Sequence, residues 1–226
     1  MCCTFWSTRA LRRTVHYPRR LLIATRNRPK ALEMATILGD LGVEIVTLDE
    51  VLPSAPEVEE NGSSYEENAL LKARAAADGA GLVAIADDAG LEIDALGGEP
   101  GVRSRRFLGE DTPFPQKMKR ILQLLENTPD EARTCRFRCA VAIALPHNGA
   151  FICHGICEGR VAHEMRGEYG FGYDPIFYLP ELGLHMAELP PHEKHRISHR
   201  GMALACAKEH LRRIFADANT DDGIGH

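Results

Sequence analysis

No apolar stretch in this 226-residue chain approaches the roughly 20 residues that a membrane-spanning helix requires. The longest, such as Ala140 to Leu145, are far shorter, so no membrane partner is expected. The chain beyond residue 20 also lacks a basic excess. Five of the 27 Lys and Arg (Arg9, Arg12, Arg13, Arg19 and Arg20) fall in the first twenty residues, which contain no acid; 27 less 5 leaves 22 bases to face all 32 acids, a net −10. Duplex nucleic acid is therefore not an expected partner, because proteins that bind it draw most of their affinity from a basic face. The seven Cys are odd in number and scattered, which speaks against a disulfide framework and for reduced thiols in an intracellular compartment, and a cytoplasmic location is expected. Cys135 with Cys139, and Cys153 with Cys157, are each four apart on strands. That is not the C-x₂-C spacing of a zinc knuckle, and all four are read as small buried residues. No internal repeat is visible.

What remains is the composition of an ordinary globular α/β domain, 44% hydrophobic and 26% charged, at a length that one domain can fill. Residues 1–20 read as a basic flexible extension, either an organelle transit segment or the product of an upstream start. Residues 21–215 read as the domain, and 216–226, rich in Asp, Asn and Gly, as a disordered tail. Within the domain, Leu21 to Thr25 is a short buried strand followed by Asn27 and Pro29, a cap and a first-turn residue. Ala31, Met34, Ala35 and Leu38 then recur at helical spacing, with Gly39 or Gly42 as the stop. Glu44 to Thr47 is the next strand and Leu52 to Pro56 a loop. Ser63 or Ser64 with Glu66 or Glu67 caps a helix running to about Asp78. Leu82 to Ala86 is another buried strand. Met118, Ile121, Leu122 and Leu125 stripe a further helix. Cys135 to Leu145 leads through Asn148-Gly149 into Ala150 to Ile156, a hairpin. Ser198 caps a last helix with Leu204, Ala207, Leu211 and Ile214 on one face.

Five constellations could carry chemistry. The turn Thr25-Arg26-Asn27-Arg28-Pro29-Lys30 crowds three cations at a helix N-terminus, where they oppose the helix dipole by roughly 0.3–1 kcal/mol each unless an anion is bound. A solvated surface turn explains that turn equally well. Asp87-Asp88-Ala89-Gly90 follows the run "LVAIA", which puts two carboxylates at the carboxyl end of a buried strand; a divalent cation such as Mg²⁺ would relieve their repulsion. Glu59 and Glu60 precede a helix on which Asn68 and Lys72 share a face, and on its own this reads as a solvated charged face. Lys194 with Ser198-His199-Arg200 again sets cations at a capped helix start. The segment "GFGYDP", Gly170 to Pro175, has turn glycines and aromatics able to stack on a base.

In chain order, "TRNRPK", "EENG", "YEENALLKA", "IADDAGLEIDALGGEPGVRSRRF", "GFGYDPIF" and "EKHRISHRGMAL" resemble the successive signatures of the inosine triphosphate pyrophosphatase family, over roughly Leu21 to Ile214. The resemblance implies an elongated single α/β domain with a central mixed β-sheet flanked by helices, working as a homodimer. It also implies Mg²⁺-dependent hydrolysis of nonstandard purine nucleoside triphosphates (ITP, dITP, XTP) to the monophosphate and pyrophosphate. Carried over residue by residue, Thr25, Arg26, Asn27, Arg28, Pro29, Lys30 and Ala89 contact the substrate, and Glu60 and Asp88 hold the metal. Asp88 is the proton acceptor, and Lys72 and Asp87 serve the phosphate and metal region. Phe171, Gly172, Tyr173 and Asp174 receive the base, with Lys194, His199 and Arg200 completing the nucleotide contacts. Arg26 stands where the family usually has Gly, and Ala89 where it usually has Ser. Two other readings fit parts of the pattern: a phosphatase with an Asp nucleophile, whose usual Asp-x-Asp is absent here, and a nucleotide- or RNA-binding module without turnover.

Overall fold

Leu21, Leu22 and Ile23 are wholly buried and form β2 (Arg20–Ile23), as an unbroken apolar run does when both faces of a strand are covered. The structure, a computed structural model, describes residues 4–6, 16–56 and 58–216. Asn27 then turns the chain: its side chain accepts a hydrogen bond from the Lys30 amide at 3.2 Å and starts α1 (Arg28–Leu38), with Pro29 in the first turn. A short 3₁₀ turn ends at Gly42, whose left-handed backbone (φ 65°) lets the chain enter β3 (Glu44–Thr47). β3 lies parallel to β2, with Ile45 opposite Leu21.

After α2 (Leu48–Val51) comes α3 (Tyr65–Ala80), capped by the Ser64 side chain. Glu67 answers that cap by accepting from the Ser63 amide at 2.6 Å. The buried face of α3 is a row of small residues, Ala69, Ala73, Ala76 and Ala77. β4 (Val83–Ile93) lies parallel to β2. Next come α4 (Phe114–Leu124), β5 (Thr134–Ala144), β6 (Ala150–Val161), β7 (Phe177–Leu179), β8 (Leu184–His185), α5 (Pro191–Ile197) and α6 (His199–Ala216). The sheet is mixed and eight-stranded, in the order β3-β2-β4-β5-β6-β7-β8. Within the stretch read as a basic extension, Thr4–Trp6 forms β1 and pairs antiparallel with β6, Phe5 opposite Phe151. The rest of residues 1–15, Glu57 and residues 217–226 lie outside the described residues.

Three readings of the sequence need correction. The strand expected to stop at Ala86 runs on to Ile93, because partners for the two carboxylates allow them to sit inside it. The hairpin turn is longer than Asn148-Gly149: the Leu145 amide reaches the Gly149 carbonyl, and His147, at φ 53°, supplies the reversal. Lys194, read together with Ser198-His199-Arg200 at one capped helix start, lies in a separate short helix, α5, that the sequence reading did not include.

The chain folds as two compact units joined through its long strands. The first comprises residues up to Asp88, Ala140–His154 and the chain from Ala203; the second comprises Ala89–Cys139 and Gly155–Met202. In the first, Leu21–Ala24, Met34, Leu38, Val83–Ala86, Val141–Ala144 and Leu204, Ala207 and Leu211 are buried. In the second, Met118, Ile121 and Leu125 meet Phe137, Ile176, Phe177 and Met186 in one core. No described helix is long and apolar enough to cross a membrane.

Candidate active site

Two charged clusters stand out, one in each unit. In the first, Asp87 and Asp88 are almost fully buried on β4, which a lone carboxylate does not tolerate. Asp87 is paired with Lys30 of α1, Nζ to Oδ2 at 3.2 Å. Asp88 accepts a hydrogen bond at 2.9 Å from the amide of Asn68 on α3. Lys72, one turn further along α3, binds Glu60 at 2.5 Å and lies 4.0 Å from Asp88. Glu60 is half-buried, whereas Glu59 is exposed. The cluster thus gathers three carboxylates and two ammonium groups.

The electrostatics follow that imbalance. Burial would push the Lys72 ammonium down, but Asp88, Asp87 and Glu60 together outweigh it and leave its pKa raised. Burial pushes the Asp88 carboxyl up, with Glu60 adding to the shift while Lys72, Lys30 and the Asn68 hydrogen bond oppose it. A carboxyl moved toward neutral pH is a better proton acceptor. All donors other than the two lysines are oxygens, and one negative charge is left over. That set fits a hard divalent cation such as Mg²⁺, which takes carboxylates together with substrate phosphates.

Arg26, of the same turn, is committed elsewhere. Its guanidinium is ion-paired with Asp49 and donates to the carbonyls of Ala55 at 2.9 Å and Leu52 at 3.3 Å. The side chain is held by the loop after α2, which answers what an arginine does where the resembling family usually has Gly. Thr25 and Asn27 are half-buried, Arg28 and Pro29 exposed, and Ala89 half-buried. The Thr25 hydroxyl accepts from the Asn27 amide at 3.2 Å.

In the second unit, Asp174 organises the cluster. Its Oδ2 accepts from the Phe171 amide at 2.8 Å and from Lys194 Nζ at 2.8 Å. Gly170, at φ +75°, lies so close that a Cβ there would sit 2.1 Å from that carboxylate oxygen. The Phe171 ring has the Lys194 ammonium 4.7 Å from its centroid and the Arg200 guanidinium at 5.2 Å. Two residues grouped with these in the sequence are occupied by the core. Tyr173 is buried, donates its hydroxyl to the Ser104 carbonyl at 2.8 Å and packs edge-on against Phe114. The His199 ring stacks on Phe137 at 4.6 Å, and Phe137 stacks in turn on Phe177.

Asn68 is the partner that the sequence undervalued. It is wholly buried and, besides donating to Asp88, accepts from the Gly62 amide at 2.9 Å. One side chain therefore fixes both the catalytic candidate and the loop that carries Glu60. The available signal was its four-residue spacing from Lys72, which reads equally as a solvated helix face.

Comparison with known proteins places these clusters in context. The Ham1 family model matches residues 21–210. The dITP/XTP pyrophosphatase of Desulforamulus reducens is 46% identical over 196 residues, covering 87% of this chain and 97% of that protein. That of Geobacillus kaustophilus is 47% identical over 194 residues, covering 86% and 95%. Among solved structures, the HAM1 protein from Coxiella burnetii is 42% identical with a TM-score of 0.78, covering 86% of this chain and 98% of that one. The nucleoside-triphosphatase / dITP/XTP pyrophosphatase of Mycobacterium abscessus is 40% identical with a TM-score of 0.67, covering 83% and 98%. With the match spanning both units and both charged clusters, this chain belongs to the Ham1 family.

Proposed function

We propose that this chain hydrolyses nonstandard purine nucleoside triphosphates (ITP, dITP and XTP) to the monophosphate and pyrophosphate, with Mg²⁺ as cofactor. The observation that carries the reading is the first-unit cluster: three acids and two lysines at the N-terminal end of α1, since a polyphosphate with its cation needs both signs close together. Relatives at 46 and 47% identity that bear the name dITP/XTP pyrophosphatase support the substrate class. Glu60 and Asp88 would hold Mg²⁺, which when bound neutralises charge on the phosphate oxygens. Water supplies the nucleophile. Its oxygen bonds to the α-phosphorus, the bridging P–O bond to the β-phosphate breaks, and pyrophosphate leaves with the electron pair. Asp88 takes the water's proton, with Asn68 holding the carboxylate in place. Lys30, Lys72 and the amides at the start of α1 position the polyphosphate, which is most of what phosphoryl transfer asks of a protein.

Phe171 offers a stacking face to the purine. Every base has such a face, so selection of a 6-keto purine over adenine falls to donors, for which Lys194 and Arg200 are placed beside Phe171. The resemblance also supports a homodimer in the cytoplasm, with neither nucleic acid nor a membrane as partner; the dimer is checked by the mass of the purified protein in solution.

The deciding assay measures products over a panel of triphosphates, with Mg²⁺ titrated from zero. The expected outcome is Mg²⁺-dependent pyrophosphate from ITP, dITP and XTP at a kcat/KM well above that for ATP. Orthophosphate as product would favour a phosphatase, metal-independent binding without product a binding module, and equal efficiency on ATP would refute the substrate class. Arg200→Ala should narrow the ratio between ITP and ATP. If both substrates suffer equally, Arg200 binds phosphate instead.

A further inference from the structure

Seven thiols are scattered along the sequence, yet two of them meet a histidine. Cys153 is buried on β6, and Cys206 and His210, both half-buried, lie four residues apart on α6. The two sulfurs and an imidazole nitrogen all lie within 4.8 Å of one another. All three residues belong to the first unit, and none is part of the acid cluster. We infer that Cys153, Cys206 and His210 form a second metal site, for one thiophilic cation such as Zn²⁺, that clips α6 to β6.

The chemistry of the donors points this way. Two sulfurs and one imidazole are soft and borderline ligands that favour Zn²⁺ over Mg²⁺. Zinc bonds of about 2.3 Å to sulfur and about 2.0–2.1 Å to nitrogen imply ligand separations of roughly 3.5–3.8 Å. The three ligand atoms lie at most about one ångström beyond that spacing, a gap of the size that side-chain rotation covers. Residues four apart on a helix share a face, so α6 presents a sulfur and a nitrogen together toward the strand that brings the third ligand. Two thiolates, a neutral imidazole and Zn²⁺ sum to zero charge, as a half-buried place requires. Each thiol gives its proton to solvent as its sulfur binds, so two protons leave per zinc.

His210 is prepared as a ligand. Its ring stacks on Phe151 at 4.8 Å with a 27° tilt, which restricts its orientation.

Cobalt is the probe, used on the full chain carrying Cys2→Ser and Cys3→Ser under a phosphine reductant. One Co²⁺ per chain should give a sulfur-to-cobalt charge-transfer band in the near ultraviolet, bleached by stoichiometric Zn²⁺. Oxygen ligation at Glu60 and Asp88 gives no such band, so Asp88→Asn leaves it unchanged. Cys206→Ser and Cys153→Ser should abolish it, His210→Gln should weaken binding about tenfold or more, and Cys135→Ser should have no effect. Zn²⁺ should also raise the melting temperature of the parent but not of Cys206→Ser. The inference is overturned by absence of the band, by its survival in Cys206→Ser, or by a Cys153–Cys206 disulfide in air from a reduced protein that takes up no cobalt.

Discussion

Asp88 carries more of the proposed chemistry than any other side chain, and its surroundings explain why it needs help. Burial raises its pKa, Lys72 and Lys30 restrain that rise, and Asn68 fixes one oxygen at 2.9 Å. Asp88→Asn keeps the shape and loses both basicity and metal charge, so kcat should fall by about 10²-fold or more. The fold should survive, since an amide is easier to bury than a carboxylate. Steady-state kinetics on a variant with native circular dichroism checks it; near-normal turnover would remove Asp88 from the mechanism. At this scale the sequence was informative about charge and poor about commitment. Asp87, Asp88, Lys30 and Lys72 could be named because acids and bases crowd around a buried strand and a capped helix. That Arg26 goes to Asp49 and the Ala55 carbonyl, or that the His199 ring stacks on Phe137, depends on residues distant in sequence, and no local pattern encodes those pairings.

Among the elements, the corner between α5 and α6 controls the second cluster. Lys194 lies in the last turn of α5 and Arg200 in the first turn of α6, and both reach the Phe171 ring. Gly201 makes the corner possible: a Cβ there would sit 1.8 Å from the His195 carbonyl oxygen. That oxygen is backbone and cannot swing aside, so Gly201→Ala must push the two helices apart. Overpacking of this kind costs about 1–3 kcal/mol or more. For a chain of this length that lowers the melting temperature by roughly 2–4 °C per kcal/mol. The same displacement moves Lys194 and Arg200, so KM for the nucleotide should rise as well. An unchanged melting temperature and KM would mean that the corner is softer than its geometry says. The Ser198 cap was legible from residue type alone, and the Gly201 amide does donate to its hydroxyl at 3.1 Å. The helix α5 before it was not, because seven residues are too few to show a repeating apolar stripe, and the prolines that suit its first turn are equally at home in a loop. Strand β4 was cut short for a related reason: Asp and Gly disfavour strands locally, while Lys30 and Asn68, which stabilise the acids there, come from two other elements.

For the molecule as a whole, the α/β class was legible because apolar runs alternate with helical stripes across residues 21–215, whereas the mixed sheet was expected only from the family resemblance and not from the pattern itself. The division into two units was not, because β4, β5 and β6 each continue from one unit into the other and no linker marks the boundary. The acidic balance of the chain has a global consequence. Asp40, Glu50, Glu67, Asp94, Asp130 and Glu164 all have lowered pKa values, held down chiefly by hydrogen bonds from Lys208, Thr47, Ser63, Arg136, His163 and Arg166 respectively. A carboxyl whose folded pKa lies below its unfolded value, about 3.9 for Asp and 4.3 for Glu, stabilises the fold above the unfolded value. That contribution is lost as pH falls through the folded value. Asp88, shifted the other way, works against this trend but is a single group. Resistance to urea should therefore decline steadily from about pH 5 downward. Because these carboxyls are exposed, added salt should flatten the decline. Asp40→Asn, which removes the partner of Lys208 and Arg212, should differ from the parent at pH 7 and converge on it at the acid end. Urea midpoints measured from pH 7 to pH 3, at low and high salt, test this. Stability that stayed level or rose below pH 4 would mean that the buried acids of the first cluster, and not the surface pairs, govern the acid response.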